Sequence, residues 1–217
     1  MTNLQKRILT SVIILPISFF FVIKGGYFLL FFLLTIFFVA NFELFSVFNN
    51  KGTILFLDLI LILSLFSIYY LSDTSERLNL LLWVIILVIC SDVGGYAFGK
   101  IFKWKKLTSI SPKKTLSGVF GSFIFSLFSL FIASAIAHNT GMYVNINFLE
   151  PKFFFLAIIL SLIAQIGDLT ISYFKRAEKV KDTGKILPGH GGILDRIDGL
   201  MFVVIFTFIL IQINIIP

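Results

Sequence analysis

Long apolar runs separated by short polar loops make up most of this chain. Each run is close to the roughly 20 residues that an α-helix needs to cross a ~30 Å hydrocarbon core. We therefore predict an all-α fold, a polytopic membrane helical bundle of about seven transmembrane helices. The predicted spans are residues 8–23, 27–48, 54–71, 80–98, 119–137, 153–174 and 193–213.

Composition agrees with this pattern. Hydrophobic residues make up 58% of the 217 positions, whereas soluble domains are about 45–50% apolar. No repeat or linker divides the chain, so we predict one integral membrane domain over residues 1–217, with its catalytic half at about 90–217. The single cysteine, Cys90, lies in an apolar run, which excludes an intramolecular disulfide and argues against a cysteine-based zinc site.

The positive charges indicate an orientation. If the N-terminus is cytoplasmic, only Lys24, Arg77 and Lys152 of the 18 Lys and Arg residues lie outside. Such a bias is typical of membrane proteins and favours an odd number of spans. It also accounts for the net charge of +7, and without a basic helix face or a recognisable module we expect no nucleic-acid partner.

A polar stripe on the sixth span is the first candidate for chemistry. Ionisable groups inside a membrane cost roughly 2.5–3.5 kcal/mol each on insertion scales, so they are functional candidates by default. Gln165, Asp168, Ser172 and Lys175 fall within about 80° of one another on a helix. A single Asp near a helix end could simply be solvated or paired, but four polar residues on one stripe favour a site.

A second pair of carboxylates follows a glycine-rich loop. Asp195 and Asp198 share a face at the start of the seventh span, just after Gly189-His190-Gly191-Gly192. Acidic residues also favour helix N-termini for electrostatic reasons alone. Glycines, however, let backbone N–H groups approach phosphate oxygens closely. Carboxylate and phosphate oxygens together are the ligands that Mg²⁺ prefers.

Basic residues accompany both carboxylate sites. Lys175 and Arg176 lie nearest to them and are the best candidates for phosphate contact. The other lysines of this loop can serve topology and anionic-lipid contact alone, and a lone loop histidine such as His190 is often an ordinary surface residue.

A further cluster lies in the middle of the chain. Asp92 and Tyr96 are one turn apart at the end of the fourth span, and Ser-Pro-Lys-Lys-Thr follows at 111–115. Ser-Pro predicts a helix start, which would place both lysines and the threonine in a first turn able to hold an anion. The chain lacks P-loop, HExxH and GxSxG motifs. The pattern favours a membrane-embedded phosphoryl-group-transfer enzyme.

The 27 positions from Ser172 to Asp198 resemble the C-terminal signature of the phosphatidate cytidylyltransferase (CDP-diacylglycerol synthase) family. The residues that carry the resemblance are Ser172, Lys175, Arg176, Lys181, Asp182, Gly184, Pro188, His190, Gly191, Gly192, Asp195, Arg196 and Asp198. Asp168, the segments 92–96 and 111–115, and Glu43 also resemble family elements. Ser117 stands where many members carry an acidic residue, and the chain is short for the family, so its spans can be numbered differently from those of longer members.

The resemblance implies CMP transfer from CTP to phosphatidate, giving CDP-diacylglycerol and pyrophosphate for phospholipid biosynthesis. It implies a Mg²⁺-dependent, homodimeric enzyme of the bacterial cytoplasmic membrane with its site facing the cytoplasm, and it allows a second, monovalent cation such as K⁺. Asp168 and Asp195 would be metal ligands, and the expected catalytic residues are Asp168, Asp195, Asp198, Lys175 and Arg176. Expected substrate contacts are Asp92, Tyr96, Ser111, Lys113, Lys114, Thr115, Ser172, Lys185, His190, Gly191, Gly192 and Arg196.

Three other functions stay open at this point. A related CTP-dependent lipid kinase, or a cytidylyltransferase for another lipid phosphate, would use the same groups. A cation-coupled transporter would use Asp92 and Asp168 as an ion site, but it predicts inverted repeats and polar groups near the bilayer midplane. Neither feature is visible in this sequence.

Overall fold

The computed structural model describes residues 3–108, 110–140, 146–184, 186–187, 189 and 191–216. Over these ranges the regular structure is α-helical, with two isolated β-bridges and no strands, which confirms the all-α prediction. The helices are α1 (Asn3–Lys24), α2 (Gly26–Val47), α3 (Lys51–Leu71), α4 (Ser75–Phe102), α5 (Leu116–Thr140), α6 (Pro151–Ala177) and α7 (Leu194–Gln212).

These helices match the predicted spans and identify a multi-pass membrane protein. Among the described residues, five helices, α2 to α6, are long and apolar enough to cross a bilayer. The apolar part of α1 is shorter, at Val12–Lys24. The first turns of α7 carry Asp195, Arg196 and Asp198, which shortens the apolar length of that helix.

Local chemistry explains where several helices begin and end. Gly25 has a φ of 63° between α1 and α2, a conformation that costs glycine little. The side chain of Asn50 accepts from the N–H of Gly52 at 2.8 Å and caps α3. Lys103 ends α4 in the left-handed region with a φ of 50°.

The prediction of a helix start at Ser111-Pro112 is wrong. The chain instead pairs with itself there, because Leu107 N–H donates to the carbonyl of Lys114 at 2.9 Å and Leu116 N–H donates to Lys105 at 3.0 Å. Such pairing requires extended backbone. Helix α5 therefore begins only at Leu116, where the hydroxyl of Thr115 accepts from Gly118 N–H at 3.1 Å in the manner of an N-cap.

Glycines allow α4 and α5 to pack backbone against backbone. A Cβ added at Gly94 would contact the carbonyl oxygen of Gly121, and one added at Gly121 would contact that of Gly94. A Cβ at Gly95 would lie 2.7 Å from the hydroxyl of Ser122. This close approach holds the part of α4 that carries Asp92 against the first turns of α5.

Helices α6 and α7 also cross closely. A Cβ at Gly199 would lie 3.1 Å from the carbonyl oxygen of Ala164, and one at Gly167 would lie 2.6 Å from the ring of Phe202. The crossing point is next to Asp168 on α6 and Asp198 on α7. The close crossing of the two helices therefore brings the two predicted carboxylate sites together.

Two apolar clusters support this arrangement. The larger one centres on Trp83, which is 1% exposed and donates its ring N–H to the hydroxyl of Ser129 at 3.1 Å. The smaller one joins α2, α3, α6 and α7 through residues such as Leu44, Leu61 and Met201. It lies directly beneath the start of α7 and fixes the side of that helix that faces away from the carboxylates.

Candidate active site

A polar cavity of about 390 Å³ lies between α4, the segment before α5, α6 and the start of α7. It collects most of the predicted residues from four separate parts of the chain. Its charged lining among the described residues is Asp92, Lys113, Lys114, Asp168, Lys175, Asp182, Asp195, Arg196 and Asp198.

The stripe on α6 faces this cavity, as its spacing predicts. Asp168 accepts from the hydroxyl of Ser172 at 3.2 Å through Oδ1. Its other oxygen, Oδ2, lies 2.6 Å from Nζ of Lys114, which also donates to the carbonyl of Gln165 at 3.5 Å. Asp168 is 35% exposed and Lys114 is 24% exposed, so both remain accessible from the cavity.

Asp195 is held much more tightly than Asp168. Its Oδ1 lies 2.7 Å from Nζ of Lys175, and its side chain is only 4% exposed. Its Oδ2 accepts from the backbone N–H of Thr183 at 2.8 Å and of Gly192 at 3.0 Å. Both oxygens are therefore bonded to the protein, and Asp195 joins α6, the loop and α7.

The remaining carboxylates of the cavity interact electrostatically with one another. Asp92 on α4 experiences the charges of Asp168, Lys114 and Arg196. Asp198 experiences those of Asp168, Lys175 and Asp92. Charges of both signs alternate around the lining, which suits a polyanion that arrives together with a cation.

The segment 111–115 reaches the cavity from a turn instead of a helix. Lys113, Lys114 and Thr115 line it, as expected, whereas Ser111 does not. The hydroxyl of Thr115 lies 3.0 Å from that of Ser117, which is 2% exposed. Ser117 therefore supports the turn through a buried contact with Thr115. This is the position at which the family resemblance leads us to expect an acid.

Several expected residues lie outside the described lining of the cavity. Arg176 is exposed, and its guanidinium donates to the carbonyl of Val180 at 2.6 Å. Ser172 contacts the cavity only through Asp168. Lys185 and His190 lie outside the described residues. The roles of all four stay predictions.

Two glycines of the loop, Gly191 and Gly192, use their N–H groups within the protein. The N–H of Gly191 donates to the carbonyl of Leu187 at 3.2 Å, and the N–H of Gly192 donates to Asp195. Both N–H groups are therefore bonded within the protein in this structure, and their contact with phosphate stays a prediction. Neither glycine has room for a side chain. A Cβ on Gly191, for example, would lie 2.9 Å from Oδ2 of Asp195.

One lining carboxylate was not predicted as a site residue. Asp182 lies in the exposed loop after α6 and reaches the cavity from there. An acid in a basic, polar loop gives no periodic signal; Asp182 belongs to the family signature, and the structure adds that it lines the cavity.

An apolar groove of about 620 Å³ adjoins the polar cavity. Its walls come from α1, α2, α4 and the start of α7, with residues such as Ile14, Phe32 and Ile89. Asp92 and Arg196 line both the groove and the cavity. A molecule with a charged head and an apolar tail could therefore occupy both spaces at once.

The donor set is compatible with a magnesium ion that shares its ligands with a substrate. Among the described residues, no three His, Cys, Asp or Glu side chains converge as an all-protein metal site. Mg²⁺ usually takes only one or two carboxylates and completes its shell with phosphate oxygens and water. Accessible Asp168 at the edge of the cavity fits that pattern.

Comparison with known proteins identifies the family. The sequence profile described as "Cytidylyltransferase family" matches residues 51–214, which include every charged residue of the cavity. The chain belongs to the cytidylyltransferase family. This membership confirms the resemblance noted from residues 172–198.

Curated relatives carry a more specific name. The chain is 39% identical over 146 residues to a phosphatidate cytidylyltransferase of Staphylococcus epidermidis, covering 66% of this chain and 54% of that protein. It is 42% identical over 147 residues to the proteins of the same name from Staphylococcus saprophyticus and Staphylococcus aureus, with the same coverage. The chain thus spans about half the length of the curated relatives it matches.

Proposed function

We propose that this protein is a phosphatidate cytidylyltransferase, which transfers CMP from CTP to phosphatidate and releases pyrophosphate. The observation that carries the proposal is the junction of a charged cavity with an apolar groove at Asp92 and Arg196. A nucleotide needs only the first space, whereas a diacyl lipid phosphate needs both. Family membership and the name of the curated relatives support the same acceptor.

In the proposed reaction an oxygen of the phosphatidate phosphate attacks the α-phosphorus of CTP. A new P–O bond forms there while the bond to the bridging oxygen of the β-phosphate breaks, and pyrophosphate leaves. Transfers of this kind depend mainly on positioning and on neutralising charge. Lys113, Lys114 and Arg196 would bind phosphate oxygens from the cavity wall.

Lys175 would act differently from these three residues. Its side chain is 8% exposed and its ammonium is already bonded to Asp195. It would hold that carboxylate in place and contribute positive charge at the inner end of the cavity. Asp198 would complete this end of the site, where it interacts with Asp168.

Mg²⁺ is the cofactor we propose, with a monovalent cation such as K⁺ as a second ion. Asp168 and Asp195 would hold the Mg²⁺, and Asp168 is the more exposed of the two. A bound Mg²⁺ supplies charge neutralisation and orientation for the phosphates.

The cellular setting belongs to the same proposal. The bacterial relatives and the distribution of Lys and Arg support the cytoplasmic membrane, with the N-terminus and the cavity on the cytoplasmic side. CTP would then enter from the cytoplasm while the acyl chains stay in the bilayer. A homodimer, as the family resemblance implies, is part of this proposal.

The test is an assay of purified protein in mixed detergent–phospholipid micelles with CTP labelled at the α-phosphate. Phosphatidate and Mg²⁺ should give a labelled lipid and one equivalent of pyrophosphate, and EDTA should prevent both. If γ-labelled CTP transfers its label to a lipid alcohol and CDP appears, the protein is a lipid kinase instead. Lack of reaction with every lipid phosphate would reject the proposal.

A further inference from the structure

Glu43 on α2 is a buried carboxylate whose partners all lie at the other end of the chain. Glu43 is only 1% exposed. Oε1 accepts from the N–H of Ile193 at 2.9 Å, and Oε2 accepts from the N–H of Leu194 at 3.0 Å and from the hydroxyl of Thr183 at 3.1 Å. Glu43 is absent from the described lining of the cavity.

These contacts place Glu43 at the N-terminus of α7. The first N–H groups of a helix have no partners within the helix, and a preceding Ser, Thr, Asp or Asn usually binds them. Ile193 precedes α7 and cannot do so. The carboxylate of Glu43 takes that role from another helix, and its negative charge is favourable there.

The loop from residue 183 to residue 192 is held between Glu43 and Asp195. Thr183 donates its hydroxyl to Glu43 and its backbone N–H to Asp195. Gly192 donates its N–H to Asp195, and a Cβ on this glycine would contact both Glu43 and the Thr183 hydroxyl. A shift of Glu43 would therefore move both ends of the loop.

We infer that Glu43 is a positioning residue for the proposed transfer. It fixes the start of α7 and the positions of Thr183 and Gly192, and through them the cavity-facing carboxylates of Asp195 and Asp198. The catalytic part of this inference rests on the proposed function. The link from Glu43 to α7 can be measured without any turnover.

The first measurement is hydrogen–deuterium exchange of the wild-type protein, Glu43→Gln and Asp58→Asn, each without substrate. Gln places an NH₂ group against backbone donors, so amides at 192–196 should exchange about tenfold faster in Glu43→Gln. Asp58 is the matched control, because it is another acid of a membrane helix, its buried Oδ1 has no hydrogen-bond partner, and it is absent from the described cavity lining.

The second measurement is kinetic, on monodisperse protein. Glu43→Gln should lower kcat by about 10²-fold, a loss typical of misplaced catalytic groups. It should also raise about tenfold the Mg²⁺ concentration that gives half the maximal rate, as supporting residues of metal ligands do. An inactive fraction of the protein would lower the rate but would not change that concentration.

Gly184 offers a test of whether displacing Glu43 causes the kinetic change. Its φ lies outside the left-handed region, and the atoms nearest to an added Cβ all belong to Glu43, with Oε1 at 2.7 Å. Gly184→Ala should therefore displace Glu43 and reproduce the kinetic change. In the Glu43→Gln background it should add little, because the same contact is already disturbed.

The inference is overturned if Glu43→Gln shows both the wild-type exchange rate at residues 192–196 and the wild-type Mg²⁺ dependence. It is also overturned if the losses of kcat caused by Glu43→Gln and Gly184→Ala are fully additive in the double variant. If Glu43→Gln does not fold, Thr183→Val decides by the same two measurements. Its control is Thr207→Val, a buried threonine that bonds only to Val203 of its own helix. If the wild-type protein shows no turnover, the proposed function fails, and the exchange data still decide the link to α7.

Discussion

Lys114 and Asp168 form an ion pair, with 2.6 Å between Nζ and Oδ2, that joins the segment before α5 to helix α6. Both side chains line the polar cavity. The pair therefore places a cation and a carboxylate at the point where a nucleotide phosphate and its metal ion would compete for them.

Removing this cation should impair nucleotide use. Lys114→Met leaves Asp168 without its partner and removes one donor to phosphate. We expect kcat/KM for CTP to fall by about 10²–10³-fold, as for other lost electrostatic donors. Lys152→Met is the matched control, since Lys152 also pairs with an acid, Glu150 at 3.0 Å, but lies outside the described cavity lining. Equal kinetics in the two variants would contradict the assignment.

Asp168→Asn should abolish metal-dependent turnover with little effect on folding. Asn keeps the shape of the side chain and can still accept from Ser172, which now donates to Asp168 at 3.2 Å. We expect activity to fall by about 10²–10³-fold or more, and excess Mg²⁺ should not restore it. The measurement is a Mg²⁺ titration of the rate beside the wild-type protein stripped with EDTA. Recovery of the variant at high Mg²⁺ would place the metal ligand elsewhere.

Asp195→Asn should lower stability as well as activity. Lys175 and Asp195 are 8% and 4% exposed, so the substitution leaves a buried ammonium unpaired. Breaking such a pair costs about 3–5 kcal/mol. The midpoint of unfolding in detergent should fall accordingly. Adding Lys175→Met should raise it again, because the unpaired charge is then removed. A double variant less stable than Asp195→Asn would show that the pair does not govern stability.

Glu178 should make part of the stability depend on pH. Hydrogen bonds from the side chain and the backbone N–H of Asn49, at 3.0 and 3.1 Å, lower the pKa of Glu178 below its ordinary value of 4.5. Because the pKa is lower in the folded state, this contribution is complete above the unfolded value and disappears as the pH falls through the folded value.

The check is the unfolding midpoint of the wild-type protein and Glu178→Gln as the pH is lowered from 6 to 3. The variant should lose less stability over this range than the wild-type protein does. Asn49→Ala removes the donor side chain instead of the acid and should flatten the curve in the same direction. A steeper curve for Glu178→Gln would contradict a lowered pKa of Glu178 in the folded protein.

Gly121→Ala should separate α4 from α5. The new methyl group would contact the carbonyl oxygen of Gly94 and the ring of Phe98, so the helices cannot keep their spacing. Overpacking of this kind costs about 1–3 kcal/mol. Activity should fall too, because Asp92 and Thr115 lie on opposite sides of this contact. Gly52→Ala, where the nearest atom is a flexible Asn50 side chain at 3.2 Å, is the control.

The helices and several residues that line the cavity could be predicted because each depends on local spacing. The apolar runs give the spans, and the i, i+4 relation of Asp168 and Ser172 appears in the structure as a hydrogen bond. Asp195 and Asp198 likewise share a face that lines the cavity. Periodicity indicates which residues share a helix face. In a membrane helix with few polar residues, it therefore indicates clearly which face is polar.

The partners of these residues could not be predicted in the same way. The pairing of Lys175 with Asp195, and of Lys114 with Asp168, depends on how separate helices cross. The backbone pairing of residues 105–107 with residues 114–116 overrode the helix-start signal of Ser111-Pro112 through hydrogen bonds that no local pattern shows. Glu43 could be matched to a family element by resemblance, but its bonds to Ile193 and Leu194 could not be predicted.

The contacts of Glu43 also set an order for biogenesis. Helix α2 leaves the ribosome about 140 residues before Thr183 and about 150 before Leu194, the residues that satisfy its carboxylate. Until the segment from Thr183 to Leu194 has been made, that acid has none of its native donors and is costly to keep in the bilayer. Arrival of the last helix therefore stabilises one of the first. A chain truncated before α7 would expose the acid of α2 as a signal of incomplete assembly to membrane quality control.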